Sequence, residues 1–265
     1  MNYYVPTNLL TKNNSKTIKG EAKGWFTYIL YMSPEKQNDA GVNNCPMASP
    51  GCAAACLNMS GRGSMNMVQK ARVNKTHFLV QDQQIFLDKL DAEITKLKKR
   101  HDKKGEKMCI RLNGTTDIVF ETKKYVVRDN KTIFELHPDV MFYDYTKIGR
   151  RLKKKLPSNY HLTFSRSEEA KNHKVVKEVL ANGGNVSVVF DELPEYYLGH
   201  KVINGDENDL RFLDEKNVIV GLKYKKNTGK GGKETNDEAF KSGFAVSVET
   251  LSKSDMYGDE NDLVH

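Results

Sequence analysis

The stretch "NYHLTFSRSEEAKNHKVVKEVLANGGNVSVVFD", residues 159–191, carries the pattern that decides the fold. Its opening, NYHLTFSRS, alternates apolar and polar side chains, the two-residue period of a strand. SEEAKNHKVVKEVLANGG (167–184) then reads as a helix, with Ser167 as N-cap and Gly183 as terminator. NVSVVFD (185–191) returns to β-rich composition. Strand, helix and strand at this spacing predict a right-handed crossover and a mainly parallel sheet.

Working outward, four more runs read as strands: GWFTYILYMSP (24–34), KMCIRLNGTTDIVF (107–120), DVMFYDYTKI (139–148) and NVIVGLKYK (217–225). Between the first two lies a long helical stretch. Leu87, Leu90, Ile94 and Leu97 form one apolar stripe on it, and Gly105 is a stop signal. Six strands of this kind predict an α/β fold, a partial (β/α)6-type barrel with a cysteine loop after the first strand. A doubly wound open sheet is the alternative. One strand parity is apolar (Ile110, Leu112, Leu162, Phe164, Val186, Val188). The other is polar: Arg111, Asn113, Tyr143, Tyr145, Lys147, His161, Thr163, Ser165 and Lys223. A polar stripe shared by several strands suits a ligand-lined interior; a solvent-facing sheet face is the plainer reading.

The 265 residues suit one α/β domain over residues 24–250, with an N-terminal extension (1–23) and a mobile tail (251–265). Lysine and arginine outnumber aspartate and glutamate by 42 to 34, a surplus that permits phosphate-bearing partners without requiring them. The start of the chain has no signal-peptide pattern, and no apolar run is long enough to span a bilayer. A reducing cytoplasm, the host's if the protein is phage-encoded, is therefore expected. There, clustered cysteines are ligands or reactive thiols rather than disulfides. GDENDL occurs at 205–210 and 258–263 without a surrounding repeat.

CPMASPGCAAACLNMSGRG (45–63) holds Cys45, Cys52 and Cys56 in a C-x6-C-x3-C pattern. Three thiolates can bind three irons of a 4Fe-4S cluster and leave the fourth free. Gly51 and the neighbouring alanines would let the loop wrap a bulky group. Zinc is the rival, needing a fourth ligand such as Cys109 or His77; buried or redox-active thiols are the third reading. Two glycines around Arg62 could present amides to an anion, or simply make a tight bend.

RLNGTTDI (111–118) brings Arg111, Asn113 and Asp117 to a strand end, where α/β barrels keep their active sites; a salt bridge and a turn account for it equally. FYDYTK (142–147) contributes Tyr145 and Lys147, able to stack on or hydrogen-bond a base. Asp206, Glu207 and Asp209 could hold magnesium, although a solvated acidic turn describes them better. NTGKGGK (227–233) is not a phosphate loop, because Asn227 and Glu234 occupy required Gly and Ser/Thr positions. Basic runs at 96–107, 150–156 and 223–233 offer surfaces for a nucleic-acid backbone.

LYMSP, the cysteine segment, RLNGTTDI, FYDYTK, HLTFSRS and NGDENDLRFLDEKNVIVGLK together resemble a family of bacteriophage-encoded proteins, over roughly residues 25–250. More distantly, strand, three-cysteine loop, helix and further β/α units resemble radical S-adenosylmethionine enzymes. Their usual spacing is C-x3-C-x2-C. That resemblance implies Cys45, Cys52 and Cys56 as cluster ligands, and S-adenosylmethionine at the free iron with Asn113 and Asp117 holding it. The resulting expectation is an iron–sulfur enzyme acting on a nucleotide or nucleic-acid substrate. Asp117, Tyr145 and Lys147 would be its catalytic side chains, and Arg62, Arg111, Asn113, Ser165 and Lys223 would bind cofactor and substrate. The alternatives are a zinc-stabilised nucleic-acid-binding protein without enzymatic activity and a magnesium-dependent hydrolase using Asp206 and Asp209.

Overall fold

The computed structural model describes residues 3–12, 15–227 and 232–258 of the chain. The first elements are β1 (Leu10–Thr11), α1 (Ser15–Glu21), β2 (Trp25–Leu30), α2 (Pro50–Ala54), α3 (Asn66–Gln81), α4 (Gln83–Asp102) and β3 (Lys107–Arg111). The middle third adds β4 (Val126–Arg128), β5 (Lys131–Thr132), α5 (Ile133–Leu136), β6 (Met141–Thr146), α6 (Gly149–Leu152), β7 (Tyr160–Ser165) and α7 (Ala170–Ala181). The chain continues through β8 (Val186–Phe190), β9 (Tyr196–Tyr197), β10 (His200–Asn204), β11 (Ile219–Lys223), α8 (Gly232–Lys241), β12 (Ala245–Val246) and α9 (Lys253–Tyr257).

Each of the six expected strands is present. They stand in the sheet in sequence order, β2-β3-β6-β7-β8-β11, with every neighbouring pair parallel. A doubly wound sheet needs a point where strand order reverses; these six strands have none, although β10, parallel to β11 and beyond it, stands out of sequence order. Short antiparallel strands end the sheet at either edge, β1 on β2 and β9 on β10, so among the described residues it does not close.

The helix between the first two strands is broken at Asp82 into α3 and α4, whose Phe78, Phe86, Leu87, Leu90 and Ile94 bury against Tyr28, Leu30, Ile110, Leu112, Phe142 and Leu162. A second cluster joins Val176, Val179 and Leu180 of α7 to Phe164, Val186, Val188 and Ile219. The apolar parity thus faces the helices as expected. Helix α7 starts later than its sequence suggests: Glu169, not Ser167, is the N-cap, and Gly183 follows it at φ +73°.

The first and last described segments are also tied to the sheet. Leu9 and Leu10 are buried in the first core cluster, and β1 pairs with β2, so the segment expected as an extension is an edge of the domain. In α9 the carbonyls of Asp255 and Met256 accept from the amides of Leu198 and Gly199, which ties 253–257 to the β9–β10 hairpin. Residues 259–265 of the expected tail, most of the second GDENDL copy and positions 228–231 of the lysine–glycine loop lie outside the described residues.

Strands β7 and β8 pair only at Phe164–Val186 and Ser165–Ser187. Beyond that they part, and β12 takes the edge of β8 at Val189 and Phe190. This wedge brings residues 242–246 to the C-terminal ends of the strands, where the cysteine loop also lies.

Candidate functional site

Cys45, Cys52 and Cys56 are free and half-buried, on the loop leaving β2. Ser49 caps α2: its hydroxyl accepts from the Cys52 amide at 3.2 Å and donates to Glu168 Oε2 at 2.7 Å. The other oxygen of Glu168 accepts from the Gly51 amide at 2.8 Å. One carboxylate at the end of β7 therefore holds the cysteine-bearing turn at two points. Burial alone would raise the Glu168 carboxyl, but the bonds from Ser49 and the backbone amides outweigh it and hold the group below its ordinary value.

Burial pushes the Cys45 thiol up to about 12, raised further by Cys56, Cys52 and Asp117, and the Cys56 thiol up to about 11, where Cys52 raises it while Arg72 and Lys147 oppose the shift. Cys45 interacts electrostatically with Cys52, Cys56 and Asp117, and Cys56 with Cys52, Arg72 and Lys147. The three sulfurs thus share one electrostatic neighbourhood with two cations beside it. Protonated thiols are poor nucleophiles, so Cys45 and Cys56 gain reactivity only when something displaces the proton. Among the described residues, no three or more His, Cys, Asp or Glu side chains converge closely enough to hold one metal ion.

Lys147 is the predicted catalytic residue that the fold brings to the cysteines. Its ammonium donates to Ser165 Oγ at 2.6 Å and lies 5.4 Å from the centre of the Phe244 ring. Ser165, another predicted residue, is therefore in the same group. Arg166 anchors the covering segment by donating to the Gly243 and Phe244 carbonyls at 2.7 and 3.2 Å.

The remaining predicted residues are used differently. Asp117 accepts from the Thr146 hydroxyl (2.9 Å), the Lys147 amide (2.8 Å) and Arg151 Nη1 (2.7 Å), so its carboxylate fastens the β3 loop to the end of β6. Asn113 lies past the end of β3 and turns to the helix side, bonding Asp144, Thr116 and Ile118; it does not join the polar stripe. Arg62 is exposed on a one-turn helix (Gly61–Ser64). That glycine turn is a structural bend, because Asn58 beneath it is fully buried among Gln37, Gln69 and Arg72. A Cβ on Gly63 would stand 2.8 Å from the Asn58 and Leu57 carbonyls. Lys223 is exposed at the end of β11, away from these contacts.

The lower part of the polar stripe is a filled interior. Residues after β10 fold back across it, and Asp209 accepts from Arg111 Nη1 (2.6 Å) and the Tyr143 hydroxyl (3.2 Å). Phe212 packs edge-on to Trp25 with ring centres 4.8 Å apart. The Arg111 guanidinium lies 5.1 Å from the Tyr145 ring centre. Tyr145 and Arg111 therefore belong to a packed polar cluster below the cysteines. Asp209, expected in a solvated acidic turn, is buried, whereas Asp206 accepts from the Lys223 amide at the surface. The three acidic residues do not gather around one magnesium position. Cys109 is buried on β3 and shares a hydrogen bond with Thr27 at 3.2 Å, while His77 pairs with Asp39; neither completes a site with the cysteine loop.

Glu168, Arg72 and Phe244 were not visible as site residues. Only Glu168 left a trace, as one of two adjacent glutamates opening a helix. Arg72 sits inside an ordinary helical run, and Phe244 reaches the site through the β12 wedge. No helix among the described residues is long and apolar enough to cross a membrane.

No curated protein and no solved structure matches the chain. Its residues 8–244 match the model of the family described as Gene product 88, a description that fits the phage-encoded proteins its motifs resemble, and the chain belongs to that family.

Proposed function

We propose that the protein is an iron–sulfur enzyme of the radical S-adenosylmethionine type, built on a partial six-stranded barrel and acting on a nucleotide or nucleic-acid substrate. One observation carries this reading: the three-cysteine loop follows the first of six parallel strands that stand in sequence order. The steps from β2 through β8 all run the same way, which puts those crossovers on one face and leaves the other as an interior; only the parallel β10, beyond β11, stands out of sequence order. The loop then opens at the C-terminal mouth, where such folds keep their chemistry.

The donor set fits a cluster better than a single ion. Three free thiols stand on one loop, with Cys52 interacting electrostatically with both Cys45 and Cys56, and three thiolates are the set that a cubane with one open iron takes. Cys109 and His77, which a zinc site would need as a fourth ligand, are engaged elsewhere. Cys45, Cys52 and Cys56 would hold the cluster, whose open iron would bind S-adenosylmethionine and supply one-electron chemistry. The chain's own part is to keep the loop in place through Glu168, to offset thiolate charge with Arg72 and Lys147, and to exclude water with Phe244. Lys147 is the group best placed to donate a proton or hydrogen bond to a substrate at the mouth.

Anaerobic purification with iron, sulfide and zinc analysis tests the reading. The expected result is brown protein with about four irons per chain, lost in Cys52→Ala while the fold persists. Colourless protein with about one zinc per chain would overturn it in favour of a structural metal.

A further inference from the structure

Beside the cysteine loop lies a cavity of about 940 Å³, walled at one end by Asn44 and Pro46, the two neighbours of Cys45. Its floor is apolar, with Leu79, Val80, Ile118, Tyr125 and Leu156, and its rim carries Lys123, Lys124, Arg150, Lys154 and Lys155. These cations come from two separate parts of the chain, the segment before β4 and the segment after β6. The nearby carboxylates are already committed. Asp117 and Glu121 pair with Arg151, Glu135 with Lys123 and Glu178 with Lys153. Lys124, Arg150, Lys154 and Lys155 are exposed, with no carboxylate partner among the described residues.

An apolar floor under a rim of five cations, four of them without a carboxylate partner among the described residues, matches a polymer that is anionic along its backbone and flat and apolar between charges. Its volume falls within the range that small ligands fill, about 300–1,000 Å³, so it is the cation rim rather than the size that points to a polymer. We propose that it is the track for a single-stranded nucleic acid, with phosphates on the lysine rim and bases against Tyr125, Val80 and Leu156. A duplex keeps its base faces stacked inside and would leave the floor unused; an exposed strand uses both features. This rests on the proposed function in one respect: the track would deliver a nucleotide of the strand to the mouth beside Cys45.

The test is fluorescence anisotropy with labelled oligothymidylate, oligouridylate and a DNA duplex, at several salt concentrations, on the full-length protein. Two charge-matched triple variants are compared with wild type: Lys124→Glu/Lys154→Glu/Lys155→Glu in the track, and Lys96→Glu/Lys99→Glu/Lys103→Glu on α4 and its C-cap. The track variant should bind single strands roughly tenfold or more weakly, with a salt slope lower by about 2 for three lost phosphate contacts. The α4 variant should change little, and the two single-strand probes show whether DNA or RNA is preferred. Equal losses in both variants, or tighter binding of the duplex than of either strand, would overturn the track. Iron content of the same samples separates the two readings. Iron present with an unaffected track variant sinks the track alone, and iron absent with the expected binding pattern sinks the cluster alone.

Discussion

Glu168 shows how one side chain can hold a loop in place from a neighbouring strand end. Its two oxygens take bonds from Ser49 and Gly51, on either side of the turn that presents Cys52. Glu168→Ala should cost about 1–3 kcal/mol in urea unfolding and lower iron content after anaerobic reconstitution. Glu168→Gln, which keeps an acceptor for the Gly51 amide, should lose less of both. Iron content unchanged in Glu168→Ala would show that the turn holds itself. Asp144 gives a pH signature of a different kind. It is fully buried, and burial raises its carboxyl to about 6 against Arg111, the Asn113 amide, Arg151 and Tyr160, which favour the charge. A raised folded-state value means that the protonated form is favoured by folding. Its contribution is complete below the ordinary 3.8 and is lost as pH rises through about 6. Asp144→Asn should lower stability overall by leaving the Tyr160 hydroxyl without its acceptor. Its Tm should nevertheless fall less than that of wild type between pH 4 and 7. Parallel Tm–pH curves would remove Asp144 as the source of that slope.

At the level of elements, the cysteine helix α2 depends on a missing side chain. A Cβ on Gly51 would lie 2.5 Å from Ser242 Oγ and 2.6 Å from Phe244 Cβ, so the helix can approach the 242–246 segment only because residue 51 has none. Gly51→Ala should cost about 1–3 kcal/mol by overpacking and speed the reaction of Cys52 and Cys56 with a thiol reagent; unchanged thiol kinetics would place the separation elsewhere. This role for Gly51 was not legible in the sequence, where small residues near cysteines suggest room for a metal group. The six central strands were legible because buried parallel strands are dense in Val, Ile, Leu and aromatics, a signal confined to each run. The break at Asp82 was not, since both halves of the helix continue one apolar pattern. Strands β1, β9 and β12 are two residues long, too short for any periodicity. The filled interior was hidden for another reason. Asp209 and Phe212 meet Arg111 and Trp25 only through tertiary folding, and an acidic, polar run gives no sign that part of it turns inward. Near the cysteine loop, Lys147 and Ser165 could be read from their strand-end positions and the three cysteines from their spacing alone. The structural roles of Asp117 and Asn113 could not, because a polar loop residue looks the same whether its partners are a ligand or its own backbone.

Across the whole molecule, the site is assembled from both ends of the sequence order. The first strand delivers the cysteines, and the last described third of the chain returns through the gap between β7 and β8 to cover them. The two regions are joined at few points, of which Arg166 is the most direct, donating to the carbonyls of Gly243 and Phe244. Charged hydrogen bonds of this kind contribute about 1.5–3 kcal/mol, but here the loss should be local, because β12 covers only the C-terminal half of β8 and supplies the second core cluster with Val246 alone. Arg166→Ala should therefore open the 242–246 segment by itself, with a modest fall in global Tm. Under native conditions the sensitive readout is tryptic cleavage after Lys241, which tracks the population of the open form when closing is faster than cutting. Cleavage there should accelerate roughly tenfold, since about 1.4 kcal/mol is a factor of ten in that population. The same opening should uncover Lys147, raising the solvent access of the mouth and lowering cluster retention in air. If cleavage and Tm instead change in proportion, the segment unfolds only with the whole domain, and the cover is part of the sheet rather than a separately closing piece of it.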